Sequence, residues 1–130
     1  MSANIELVRA FYTAMAKGDI GGATALTAPG LTISQSRALP WGGEERGVGG
    51  LAAFFGRIRA RIDSRVHVEH YIDAIDDVVA IGRTSGTVRA SGAAFDIAVA
   101  HVFTIRDGRI AGVRVLLDTP PMLEVLAAER

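Results

Sequence analysis

Apolar positions alternate most regularly in the last third of the chain. Over 95–105 (FDIAVAHVFTI), Ile97, Val99, His101, Phe103 and Ile105 fall on one face of an extended segment, with Ala98, Ala100 and Val102 on the other. Residues 106–109 (RDGR) supply a tight turn, and 110–117 (IAGVRVLL) a second strand. The pattern predicts a hairpin with one histidine on its apolar side. An imidazole placed there is either a core group satisfied by a neighbour or a working group in a pocket. Its ordinary pKa of about 6.5 suits acid–base or hydrogen-bonding work at neutral pH.

The first half is patterned for helices. Ile5, Val8, Phe11/Tyr12 and Met15 recur at helical spacing, and Gly18 stops that run. Asp19 caps a short second helix reaching Leu26, closed by Pro29–Gly30. Residues 31–36 alternate weakly, as a short strand would. Residues 37–50 (RALPWGGEERGVGG) hold so much Gly and Pro that a loop over a surface or a pocket mouth is expected. Leu51, Phe54/Phe55, Ile58 and Ile62 mark a third helix, with Arg57, Arg59 and Arg61 toward water. Strands are then predicted over 65–74 and 78–89 with a turn at Asp76–Asp77, and Ser91–Gly92 turns into the hairpin. A short helical tail over 122–130 follows Asp118-Thr119-Pro120-Pro121. Helices first and hairpin-linked strands afterwards predict an α+β fold with helices packed on one face of an antiparallel sheet.

Composition narrows the function without choosing it. A chain of 130 residues is expected to form a single domain, 1–130, burying about two-thirds of its unfolded surface. Fourteen basic and fourteen acidic residues cancel, so no global field draws nucleic acid or an anionic membrane. No cysteine is present, which removes disulfides and thiolate metal sites and fits a cytoplasmic location. No apolar run approaches the ~18–20 residues of a membrane span, and no signal region is visible. His67-Val68-Glu69-His70 is the one metal-like motif, but residues three apart on a regular strand point to opposite faces. No metal is expected there. Gly47-Val48-Gly49-Gly50 has the wrong spacing and context for a dinucleotide loop, and the arginines at 57, 59, 61 and 65 read as a solvated face.

Taken together, 8–19 (VRAFYTAMAKGD), the Gly/Pro/Trp loop, the Phe54–Phe55 helix and above all 100–110 (AHVFTIRDGRI) resemble the SnoaL-like branch of the nuclear transport factor 2-like superfamily. That group includes ketosteroid isomerases, polyketide cyclases, scytalone dehydratase and limonene epoxide hydrolase. The resemblance spans essentially 4–126. It implies a cone-shaped α+β barrel in which three N-terminal helices sit on a strongly bent, mainly antiparallel sheet around an apolar pocket. It also implies a homodimer. A fold of this kind licenses a pocket and not a reaction.

The resemblance also assigns positions. Ketosteroid isomerases pair a carboxylate base with a tyrosine and a protonated acid that hydrogen-bond the enolate. The tyrosine position falls at Phe11, the base near Gln35 and the acid at His101. Tyr12 is one residue on, turned ~100° around the helix toward a different neighbour, so amphipathic core is its simpler reading. SnoaL-type cyclases place a histidine on this strand, here His101, and an aspartate base on the last strand, where Val115 stands. Asp118 is the next acid downstream. It either completes a relay with His101 or caps the tail helix. The lone Trp41 either closes over a ligand or anchors its loop. The expected site thus has His101 and Asp118 as catalytic groups. Phe11, Tyr12, Gln35, Trp41, Phe54, Phe55, Phe103 and Val115 are expected around a small hydrophobic carbonyl compound, with no cofactor. A binding module that has lost the family's acid residues is the alternative.

Overall fold

The structure, a computed structural model, describes residues 2–128. The first helix, α1 (Ala3–Ala16), starts where the Ser2 hydroxyl accepts the Ile5 N–H. It buries Val8 and Phe11, and it ends where Gly18 takes a left-handed φ of 71°. Asp19 caps α2 (Ile20–Thr24) by accepting the Gly22 N–H at 2.8 Å. This helix is shorter than its spacing suggested. Pro29 and Gly30 lie inside strand β1 (Thr27–Gln35), not at a helix end. They fall where the pairing of β1 slips between Thr27 and Thr32, an irregularity that tolerates a residue without an N–H.

The segment expected to be all loop contains a strand, β2 (Gly43–Arg46), antiparallel to β1. Its sequence, GEER, has no apolar alternation to betray it, because an edge strand buries little. Helix α3 (Gly50–Arg61) turns Leu51 and Phe54 inward. Arg57 does not point to water as expected: it pairs with Glu45, donates to the Trp41 carbonyl at 3.2 Å and lies over the Phe54 ring. Strand β3 (Ile62–Ala74) follows α3 without a break, three residues earlier than predicted. The next turn is centred on Ile75–Asp76, with the Asp73 carboxylate accepting the Ile75 N–H and Ile75 at φ 70°. Strands β4 (Asp77–Val88), β5 (Ala94–Arg106) and β6 (Arg109–Leu117) run as the alternation predicts. Helix α4 (Thr119–Ala127) begins earlier than expected, since proline fits a first helical turn; residues 129 and 130 of the predicted tail lie outside the described residues.

The six strands form one open sheet in the order β2-β1-β6-β5-β4-β3. All neighbours are antiparallel except β1 and β6, which are parallel. The larger core gathers Val8, Phe11, Leu31, Ile33, Leu51, Phe54 and Phe103 between α1, α3 and the sheet. A second packs Leu39, Trp41, Ile62, Val88, Phe95, Ile97 and Met122 beneath the 37–42 turn and α4. Between the two the inner face of the sheet is left open. Among the described residues no helix is long and apolar enough to cross a membrane.

Candidate functional site: a cavity with a tyrosine–histidine pair

That opening is a cavity of about 600 Å³. Helices α1 and α3 supply one wall, through Phe11, Tyr12, Met15, Phe54, Phe55 and Ile58. The sheet supplies the other, through Ile33, Gln35, Val99, His101, Phe103, Val113 and Val115, and Trp41 closes one side. The size suits a small organic molecule. Register explains how three distant residues meet on the floor. Gln35 of β1 pairs with Val115 of β6, and Val115 pairs with His101 of β5. They form one row across adjacent strands, each step about 4.8 Å.

His101 is the polar centre. Its Nδ1 lies 2.5 Å from the Tyr12 hydroxyl, and the two rings stack at 5.8 Å between centroids. Phe103 meets both rings edge-on. Among the described residues Nδ1 is the one acceptor for the Tyr12 hydroxyl, so the arrangement that satisfies the hydroxyl has it donating to Nδ1. The imidazole proton then sits on Nε2. Among the described residues Nε2 has no protein partner, and no buried side-chain nitrogen or oxygen is left unsatisfied, so Nε2–H opens into the cavity. Burial lowers the His101 pKa to about 4 and raises that of Tyr12, the nearby Tyr71 adding to the second shift. At neutral pH both groups are uncharged. Burial thus moves the His101 pKa away from the ordinary value assumed from sequence and favours the neutral imidazole.

Gln35 is oriented by similar logic. The indole Nε1–H of Trp41, which can only donate, reaches Gln35 Oε1 at 3.0 Å. The carbamoyl oxygen is thereby occupied, leaving the amide N–H groups for the cavity. Trp41 is buried and anchored, which settles its geometry: it folds back beneath its own loop and forms cavity wall. The floor therefore presents donors at both ends of a row and an apolar Val115 between them.

Of the expected residues, Phe11, Tyr12, Gln35, Trp41, Phe54, Phe55, Phe103, Val115 and His101 all line this one cavity. Asp118 does not. It precedes α4, its side chain is exposed, and it makes no capping hydrogen bond, so it serves neither as a carboxylate beside His101 nor as a bonded cap. Among the described residues the only acidic one on the lining is Asp63, exposed at the outer end with Arg59, Arg65 and Arg89, none of which sequence reasoning placed there. Thr84, a buried lining residue, was also missed. The His67–His70 geometry needs correction. A bulge between Val68 and His70 shifts the pleat, so His67 and His70 face the same, outer side, opposite Arg83 and Ile81. Both are exposed, and among the described residues no group of three or more potential ligands gathers there.

Helices laid on an open, mostly antiparallel sheet over an apolar cavity define a nuclear transport factor 2-like fold. Comparisons with known proteins agree. The SnoaL-like domain model matches residues 8–113, and the chain belongs to that family. Among solved structures, an NTF2-like protein of unknown function from Burkholderia pseudomallei superposes with a TM-score of 0.91 at 25% identity, covering 98% of this chain and 100% of the other. TerC, co-crystallised with polyporic acid, gives 0.89 at 23% identity over 98% and 100%. A proposed polyketide cyclase from Pseudomonas putida gives 0.80 at 21% over 96% and 98%. No curated protein matches the chain in sequence.

Proposed function

We propose that this SnoaL-like protein, one domain over 1–130, binds a small, largely hydrophobic carbonyl compound of polyketide, terpenoid or steroid-like kind. The observation that carries the reading is the half-buried Tyr12–His101 pair, with Nε2–H open to a cavity whose inner walls are largely apolar. A ligand carbonyl set over Val115 meets His101 Nε2–H from one side and the Gln35 amide from the other. Neutral donors aimed at a carbonyl oxygen stabilise negative charge as it develops there, as in enolisation. Such polarisation supports cofactor-independent isomerisation, cyclisation or dehydration, with water or a group of the ligand itself taking the proton. Complexes of the fold neighbour TerC with polyporic acid are in keeping with small-molecule binding in this scaffold.

A second reading is a non-catalytic binding module, and one observation favours it: Val115 occupies the floor where a base would stand, and among the described residues no carboxylate lines the inner wall. The His101→Ala variant separates the two when melted and assayed against a library of hydrophobic ketones. For an enzyme, turnover of the variant falls at least ~10²-fold, a loss additional to the stability cost of unpairing the Tyr12 hydroxyl. For a binding module, ligands raise the wild-type midpoint and nothing turns over. A wild type that no ketone stabilises, with a variant weakened by about 1–3 kcal/mol, would end the pocket reading and leave His101 as a core histidine.

The same proposal includes a two-fold homodimer through the outer sheet face and a cytoplasmic setting. On that face Val79 pairs with Val102 and Ile81 with Ala100, flanked by Ile72 and Leu116. Ile72 and Leu116 are 48% and 53% exposed, an apolar patch that a second copy would cover.

A further inference from the structure

The outer end of the cavity has a chemistry different from its interior. Arg59 near the end of α3, Arg65 at the start of β3 and Arg89 just beyond β4 all line it. These elements meet there because the Arg89 N–H bonds the Arg61 carbonyl, and the Arg89 Nε–H donates to the Arg59 carbonyl. The ion pairs among the described residues are Arg9–Glu6, Arg46–Glu44, Arg57–Glu45 and Arg83–Asp96. Among the described residues none of the rim arginines takes part in one, and Asp63 is the single acid on the same rim. Guanidinium groups are planar donor arrays matched to carboxylate and phosphate oxygens.

We infer that the cavity takes an amphipathic acid: an apolar body inside and an oxyanionic head, carboxylate or phosphate, held at the mouth by Arg59, Arg65 and Arg89. Three arginines against Asp63 leave this rim with an excess of positive charge that an anion complements. The interior donors, His101 Nε2–H and the Gln35 amide, add no acceptor that would oppose an oxygen-rich ligand. Polarity thus also sets orientation, with the charged end outward and the reactive oxygen inward.

The inference rests on the pocket reading above, and its test separates the two. Biphenyl and anthracene carboxylic acids, their methyl esters and biphenyl phosphate are titrated by calorimetry into the wild type and into Arg59→Gln, Arg65→Gln and Arg89→Gln. The acids are expected to bind at least roughly tenfold more tightly than the esters, with affinity falling as salt rises. Each glutamine variant should weaken acid binding about tenfold while leaving ester binding unchanged, the scale of one charge-assisted contact. Comparing the carboxylates with the phosphate identifies the preferred head. Arg65→Gln, which disturbs no hydrogen bond in the structure, keeps the test valid if Arg89→Gln folds poorly. Esters binding as well as acids, or arginine variants that weaken both alike, would overturn the rim assignment and spare the pocket. Failure of acids and esters together would overturn both.

Discussion

His101 owes its character to being enclosed. Its folded pKa of about 4 lies below the ordinary 6.5, so as pH falls the unfolded chain takes up the proton first. Stability from this group is complete above about 6.5 and drains as pH falls toward about 4. One full proton corresponds to about 1.4 kcal/mol per pH unit. Denaturant melts at about pH 7 and about pH 5 should therefore show the wild type losing about 2 kcal/mol more than His101→Gln; equal losses would mean that the imidazole titrates freely in the folded protein. The residue itself was legible in sequence, because one polar group interrupting an apolar strand face stands out. Its partner was not. Val8, Phe11, Tyr12 and Met15 form one stripe, and an apolar stripe at least ~100° wide holds two adjacent positions at once. The rotation from Phe11 to Tyr12 therefore keeps Tyr12 on the cavity side, where its hydroxyl reaches His101.

At the scale of elements, the helix limits and hairpins could be read from capping residues and period-two alternation. Features produced by tertiary contact could not. Strand β2 buries too little to leave a pattern, and the bulge at Val68/His70 reverses the facing of the histidine motif without any local sign. The turn between β1 and β2 depends on Trp41. Its bond to Gln35 and the Arg57 contact to its carbonyl tie loop, strand and helix together. Trp41→Phe removes the indole donor and leaves Gln35 Oε1 unpaired. The expected cost is about 1–3 kcal/mol, with faster amide exchange confined to the 37–42 turn, as hydrogen exchange would report. A neutral result would mean that apolar packing alone holds the turn.

For the whole molecule, the parallel pairing of β1 with β6 brings residues about eighty positions apart into register, and no local pattern encodes such a closure. It is nevertheless what sets Gln35 beside Val115 and His101. The outer face carries the expectation of pairing between two copies. Light scattering at micromolar concentration should give twice the chain mass, and Leu116→Lys, on the exposed apolar face, should shift it toward the monomer; a monomeric wild type would sink the dimer.

The chain has one tryptophan, and it forms part of the cavity wall. Its emission is therefore a spectroscopic reporter of a single place in the molecule. A guest touching the indole would alter that signal by contact, whereas a molecule held only at the outer sheet face would make no such contact. Occupancy can thus be read without a label, before any reaction is known.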